Sequence, residues 1–130
     1  MPQTDNGYER RRYFRVRPAM SQPVLMTMRV AGQDLQALPV KDISLGGIAF
    51  LCPVGITLPA IGTPILDLQL LLPNHGVITP IGVARRIARD AIKNKLYCAL
   101  EFTNLSTNDD HKLFQYLVDR QRELLRIKTN

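Results

Sequence analysis

The chain has 130 residues, 45% hydrophobic and 22% charged, which suits one domain with a single core and is too short for two. No apolar run is long enough to span a bilayer, and the opening "MPQTDNGYERRR" lacks the hydrophobic core of a signal peptide, so membrane insertion is excluded and a soluble, cytoplasmic setting is expected. The net charge of +6 calls for an anionic partner without naming it.

Residues 1–8 read as a disordered lead. Then "ERRRYFRVRP" sets Arg10, Arg11, Arg12, Arg15 and Arg17 around Tyr13 and Phe14. Against Asp5 and Glu9 this opening segment carries +3, half of the whole excess. Such density is solvated charge, a nonspecific grip on nucleic acid, or an arm that closes on a defined second site.

From Gln22 to Ser44 the pattern is a hairpin: Val24, Met26, Met28 and Val30 alternate with Leu25, Thr27 and Arg29, and "AGQD" supplies the turn. "GIAFLC" (47–52) is a third short strand, followed by a loop punctuated by Gly55, Pro59 and Gly62. "PILDLQLLLP" (64–73) is compatible with strand or helix by periodicity, and its flanking prolines favour a strand. After the turn "PNHG", residues 77–88 form a fifth strand bent near Pro80 and Gly82, and 96–102 a sixth. The spacing predicts an antiparallel barrel or a sandwich. Cys52 and Cys98 fall in these strands with no metal-ligand spacing and read as reduced, partly buried residues.

After Phe102 the period changes. Residues 107–128 form a helix with Leu113, Phe114, Leu117, Val118, Leu124 and Leu125 on its apolar face. Ser106, Thr107 and Asn108 offer N-caps, Asp109 and Asp110 suit the positive end of the dipole, and Arg120, Arg122, Arg126 and Lys128 suit the negative end.

The second unusual stretch is "VKDISLGGIAF". In an extended strand Asp42 and Ser44 leave on one face, and Gly46 and Gly47 follow, where backbone can turn tightly or let a ligand approach. Alone, this is equally a turn in which Asp42 or Ser44 bonds nearby backbone. Taken together, Arg11-x-x-x-Arg15 before the first strand and Asp42-x-Ser44-x-x-Gly47 after the second closely resemble the PilZ domain family. "RRYFRV" and "DISLGGIAF" are similar to the PilZ domains of YcgR-type flagellar-brake proteins.

The resemblance covers residues 9–128 and implies a mainly β fold: a six-stranded antiparallel β-barrel over 22–103, an arginine clamp arm at 9–17 and a C-terminal α-helix at 107–128. It implies binding of cyclic di-GMP through Arg11, Arg15, Asp42, Ser44 and Gly47. Arg10 stands where this family carries the arginine that accompanies a stacked, intercalated ligand dimer. Guanidinium groups bind phosphate and the guanine O6/N7 edge in bidentate fashion. An ionised Asp42 accepts from the guanine N1–H and amino group, Ser44 donates, and Gly47 leaves room, so the arm is expected to be a mobile clamp. Where family members often carry Gly three residues before the last strand's Phe, this chain has Ala99 before Phe102.

Catalysis is not expected, nor is any cofactor or metal, since His75 and His111 lie in a turn and near the helix start with no nucleophile–base pair. A nucleic-acid-binding basic arm is the rival from another class, opposed by the Asp42 carboxylate. A ligand-independent protein-interaction module is the third, opposed by the complete motifs. The implied partners are the dinucleotide and a protein target, in the flagellar motor or another regulated assembly. The short polar lead suggests the C-terminal piece of a longer chain. Arg12, Arg17, Arg85 and Arg86 receive no role from the sequence.

Overall fold

Period-two alternation builds the first hairpin. Val24, Met26 and Met28 are fully buried while Leu25 and Thr27 are half-buried and Arg29 is exposed, so one face of β1 (Leu25–Val30) makes core. The two-residue turn to β2 (Gln33–Ser44) has φ of 52° at Ala31 and 78° at Gly32, the pair of positive values that a type I′ hairpin turn requires. A computed structural model describes the backbone of residues 14–129 and side chains as far as Ile127. The motif residues Arg10 and Arg11, with Arg12 and Tyr13, lie outside the described residues.

The chain continues through β3 (Gly47–Pro53), β4 (Pro64–Ile65), β5 (Leu68–Leu72), β6 (Gly76–Ile78), β7 (Ile81–Asp90), β8 (Lys95–Asn104) and the helix α1 (Thr107–Thr129). All strand pairs are antiparallel, in the order β4-β7-β8-β3-β2-β1-β5-β6. The architecture is the expected mainly β one with a C-terminal helix, but eight strands stand among the described residues where six were expected. The difference lies in two broken stretches. Residues 64–72 pair first with β7, at Pro64↔Val83 and Ile65↔Gly82, and after Leu66–Asp67 with β1, at Leu68↔Met28 through Leu71↔Leu25. One bent stretch therefore bridges the two ends of the curled sheet and closes it. The second break is at Thr79–Pro80, where proline has no N–H for a ladder and the Thr79 N–H instead donates to Asp109 Oδ2 at 2.8 Å.

The core is filled by Met26, Met28, Ile43, Ile48, Phe50, Leu68, Leu70, Leu72 and Ile78 from the strands and by Leu113 and Leu117 from α1. Cys52 and Cys98 are free thiols and fully rather than partly buried, because both point inward beside Phe50. Burial pushes the Cys98 thiol up to about 12, with the neighbouring Cys52 adding to the rise.

The helix faces the barrel through Leu113, Tyr116, Leu117, Arg120 and Leu124, at helical spacing. Phe114 and Leu125, expected on the apolar face, are 46% and 56% exposed; Tyr116 takes the inward position instead. Ser106 Oγ accepts from the Asp109 N–H at 3.0 Å, making Ser106 the cap.

Candidate functional site

Two β-bulges shape the outer face of the barrel. Between Val40 and Asp42 the β2–β3 register slips by one residue, so Val40 and Ile43 both point into the core while Lys41 and Asp42 both lie toward solvent. On β7 the same slip between Ala84 and Arg86 leaves Arg85 and Arg86 both exposed between buried Ala84 and half-buried Ile87. Strict alternation allows only one of each pair outside. The cross-strand registers then align two outward rows: Asp42–Ala49–Ala99–Arg86, and Ser44–Gly47–Glu101–Val83. Directly opposed residues share a face, so small Ala49 and Ala99, fully and half buried, line a low floor between a carboxylate and a guanidinium.

The described end of the arm is docked on this face. Val16 is 3% exposed and exchanges both backbone hydrogen bonds with Ile43, at 2.9 and 3.0 Å. Phe14 packs against the core. From Phe14 onward the described arm packs on the barrel, because the alternate residues Phe14 and Val16 are apolar and Val16 makes an isolated antiparallel bridge to Ile43 of β2. That bridge carries Arg15 outward, and its Nη1 donates to Asp42 Oδ1 at 2.7 Å. The pair is solvent-accessible, with side chains 55% and 24% exposed.

The remaining motif residues sit one row along. Ser44 is buried, and its Oγ accepts from the Gly46 N–H at 3.1 Å, the local turn that the sequence left open as an alternative; the hydroxyl proton stays available to donate. Gly47 has an ordinary backbone conformation, but a Cβ there would be driven into the carbonyl oxygen of Leu100 on β8. Close strand packing therefore requires glycine at this position without reference to a ligand. The structure brings Arg15 and Asp42 together and sets Ser44 and Gly47 beside them.

Several neighbours were not found by motif reading. Lys41 Nζ lies 5.5 Å and Arg86 Cζ 5.7 Å from the centroid of the Tyr97 ring, cation–π contacts made from two sides of β8. Arg85 Nε donates to Glu101 Oε1 at 2.6 Å. The arm also meets the helix: Arg120 Nε donates to the Arg17 carbonyl at 2.7 Å. On the far side His75 contacts the Pro73 carbonyl and Asp119 Oδ2, each at 2.9 Å, with its ring edge-on to Tyr116. Only a covariation or structural signal ties these residues together, for they are distant in sequence. Among the described residues no group of three or more His, Cys, Asp or Glu is placed to hold a metal ion, and no helix is long and apolar enough to cross a membrane.

The chain has relatives in sequence and in fold. The chain is 28% identical over 130 residues, 95% of its length and 51% of the relative's, to flagellar brake protein YcgR 2 of Dechloromonas aromatica. Its fold matches the Bacillus subtilis inhibitor of motility MotI/DgrA with a TM-score of 0.73 and 26% identity, over 88% of this chain and 52% of that one. It also matches Escherichia coli YcgR in complex with c-di-GMP, with a TM-score of 0.74 and 21% identity over 92% and 50%. The chain spans about half the length of these relatives. The PilZ domain family model matches residues 9–119, a span that takes in both motifs and every strand, and the chain belongs to the PilZ domain family.

Proposed function

We propose that the domain is a receptor for cyclic di-GMP and acts by binding rather than catalysis. The observation that carries this reading is the Arg15–Asp42 pair on an open outer face. It holds a guanidinium and a carboxylate in contact, the two groups that read opposite edges of guanine: Arg15 at O6/N7 or phosphate, and Asp42 at N1–H and the amino group. Each satisfies the other in the free domain. An exposed ion pair is worth only about 0–1 kcal/mol, so a ligand that engages both groups displaces their mutual contact at little cost. Ser44 supplies a hydroxyl donor beside them, while Gly47 keeps β3 and β8 close enough to make the floor flat.

Arg10 and Arg11 complete the arm by motif. Two stacked dinucleotides bring four phosphodiester charges, and a third guanidinium offsets their repulsion, so the ligand is an intercalated dimer and Arg10 is the residue that admits the second copy. Binding reorders the arm, and the Arg17 carbonyl held by Arg120 links that movement to α1. The output is a change in affinity for a cytoplasmic protein target, in motility or another regulated assembly. Fold neighbours include both a motility inhibitor and a transcription regulatory factor, so the domain supplies the sensor and the rest of each protein supplies the output.

Calorimetric titration with cyclic di-GMP tests this. The unaltered protein should bind two molecules per chain and Arg10→Leu one. Asp42→Ala should weaken binding roughly ten- to hundred-fold, the loss of a contact worth about 1.5–3 kcal/mol. Absence of binding by the unaltered protein, or unchanged affinity in Asp42→Ala, overturns the reading; one-to-one binding overturns the dimer alone.

A further inference from the structure

The two cations that converge on Tyr97 have no acidic partner among the described residues. Among the described residues Arg15, Arg29, Arg85 and Arg120 each pair with a carboxylate, whereas Lys41 and Arg86 pair with none. Both nevertheless lie within 6 Å of one ring centroid. The ring's negative face attracts each, while two like charges held at one ring still repel each other. A bound anion removes that repulsion.

Their position tells which anion. Lys41 is the bulged residue next to Asp42, and Arg86 closes the row Asp42–Ala49–Ala99–Arg86. Three strand spacings separate the ends of that row, roughly 14 Å, and its two middle positions are alanines, Ala49 fully buried and Ala99 half-buried. That span suits a nucleotide laid flat, base at one end and phosphate at the other, and is too long for a lone phosphate. Beyond the cluster the face opens into a shallow depression bordered by Arg86, Ala88, Arg89, Ile92 and Tyr97.

We infer that Lys41, Tyr97 and Arg86 form a phosphodiester-binding extension of the dinucleotide site, which takes the phosphate of a guanine dinucleotide whose base is held by Arg15 and Asp42. The inference rests on the function proposed above and adds to it residues outside both motifs. Arg86 binds the phosphate as a planar fork, Lys41 adds a point charge from the β2 side, and the Tyr97 ring holds both side chains over the alanine floor.

The test is cyclic di-GMP affinity, measured at low and high salt, for the unaltered protein and for Arg86→Ala, Lys41→Ala and Arg29→Ala. Lys41, Arg86 and Arg29 are exposed, and thermal melts confirm that the variants fold. Arg86→Ala should weaken binding about ten-fold, Lys41→Ala by less, and both deficits should shrink at high salt, where phosphate–cation attraction is screened. Arg29→Ala, which removes a cation elsewhere, should bind as the unaltered protein does. If the unaltered protein binds and Arg86→Ala binds equally well, this extension is wrong while the receptor reading stands. If the unaltered protein does not bind, both fall. A loss in Arg86→Ala seen only with a mixed-sequence single-stranded oligonucleotide overturns the inference in favour of nucleic acid.

Discussion

The two polar regions of this domain are built on opposite principles. Around Asp42 the ion pairs Arg15–Asp42 and Arg85–Glu101 are exposed or half-exposed. At α1 a buried carboxylate holds backbone: Asp109, 9% exposed, accepts from the Thr79 N–H, beside the exposed cap Ser106. Exchange of partners costs little in the first region because water screens every contact. In the second, a lost contact leaves an unpaired group in a low-dielectric interior. The outer face is suited to trade its contacts for a ligand's, and the buried Asp109 is suited to keep its partner.

Substitutions can break this contrast. The largest stability effect should come from Leu117→Ala, since Leu117 is fully buried under α1; the expected loss is about 2–5 kcal/mol, read by urea denaturation. Its cyclic di-GMP affinity, measured where it remains folded, should be unchanged, and a parallel loss of affinity would show that the two regions are not separate. Gly47→Ala should come next, at about 1–3 kcal/mol or somewhat more, because the new methyl meets the Leu100 carbonyl. Gly47 belongs to the ligand motif by sequence and to the fold by packing, so this variant should lose binding through lost structure; native-like stability with abolished binding would reassign it to ligand contact.

Asp109→Ala and Asp42→Ala form the sharpest matched pair. Removing Asp109 leaves the Thr79 N–H without its acceptor, with an expected cost of about 1–3 kcal/mol and no change in affinity. Removing Asp42 should change stability by less than about 1 kcal/mol while it weakens binding. Equal destabilisation by both would erase the distinction.

Alkaline pH gives the subtlest readout, being silent at neutrality. The Cys98 thiol is pushed up to about 12 by burial and by Cys52. The Tyr116 phenol is pushed up to about 12 by burial, which Arg120 partly offsets and Glu123 reinforces. Its hydroxyl has no hydrogen-bond partner among the described residues. Both groups stay protonated in the folded state after they would ionise in the unfolded chain, near 9 and 10. The unfolded state then binds fewer protons, so stability is complete below about pH 9 and declines as pH rises toward about 12. Urea midpoints at neutral pH and near pH 11 check this, and Asp42→Ala should show the same decline because its region takes no part. A flat profile would remove the buried groups from the account.

By itself the sequence determined whatever depends on near neighbours. Alternation from Val24 to Val30 specified a half-buried strand, "AGQD" its hairpin turn, and the change of period after Phe102 the helix, because each is decided by residues a few positions apart. The motif spacing made Arg15 and Asp42 candidates together, and the structure sets them 2.7 Å apart. Tertiary structure decided everything that depends on partners distant in the chain. The bend at Leu66–Asp67 exists because β7 claims one half of the stretch and β1 the other. Tyr116 rather than Phe114 turns inward because the barrel meets the helix along one particular stripe. The bulges at Lys41 and Arg85, invisible to a strict period of two, exist only in the register between strands. They put Lys41 and Arg86 on the same ring, for cross-strand pairing, unlike periodicity, is a property of two segments and is written in neither alone.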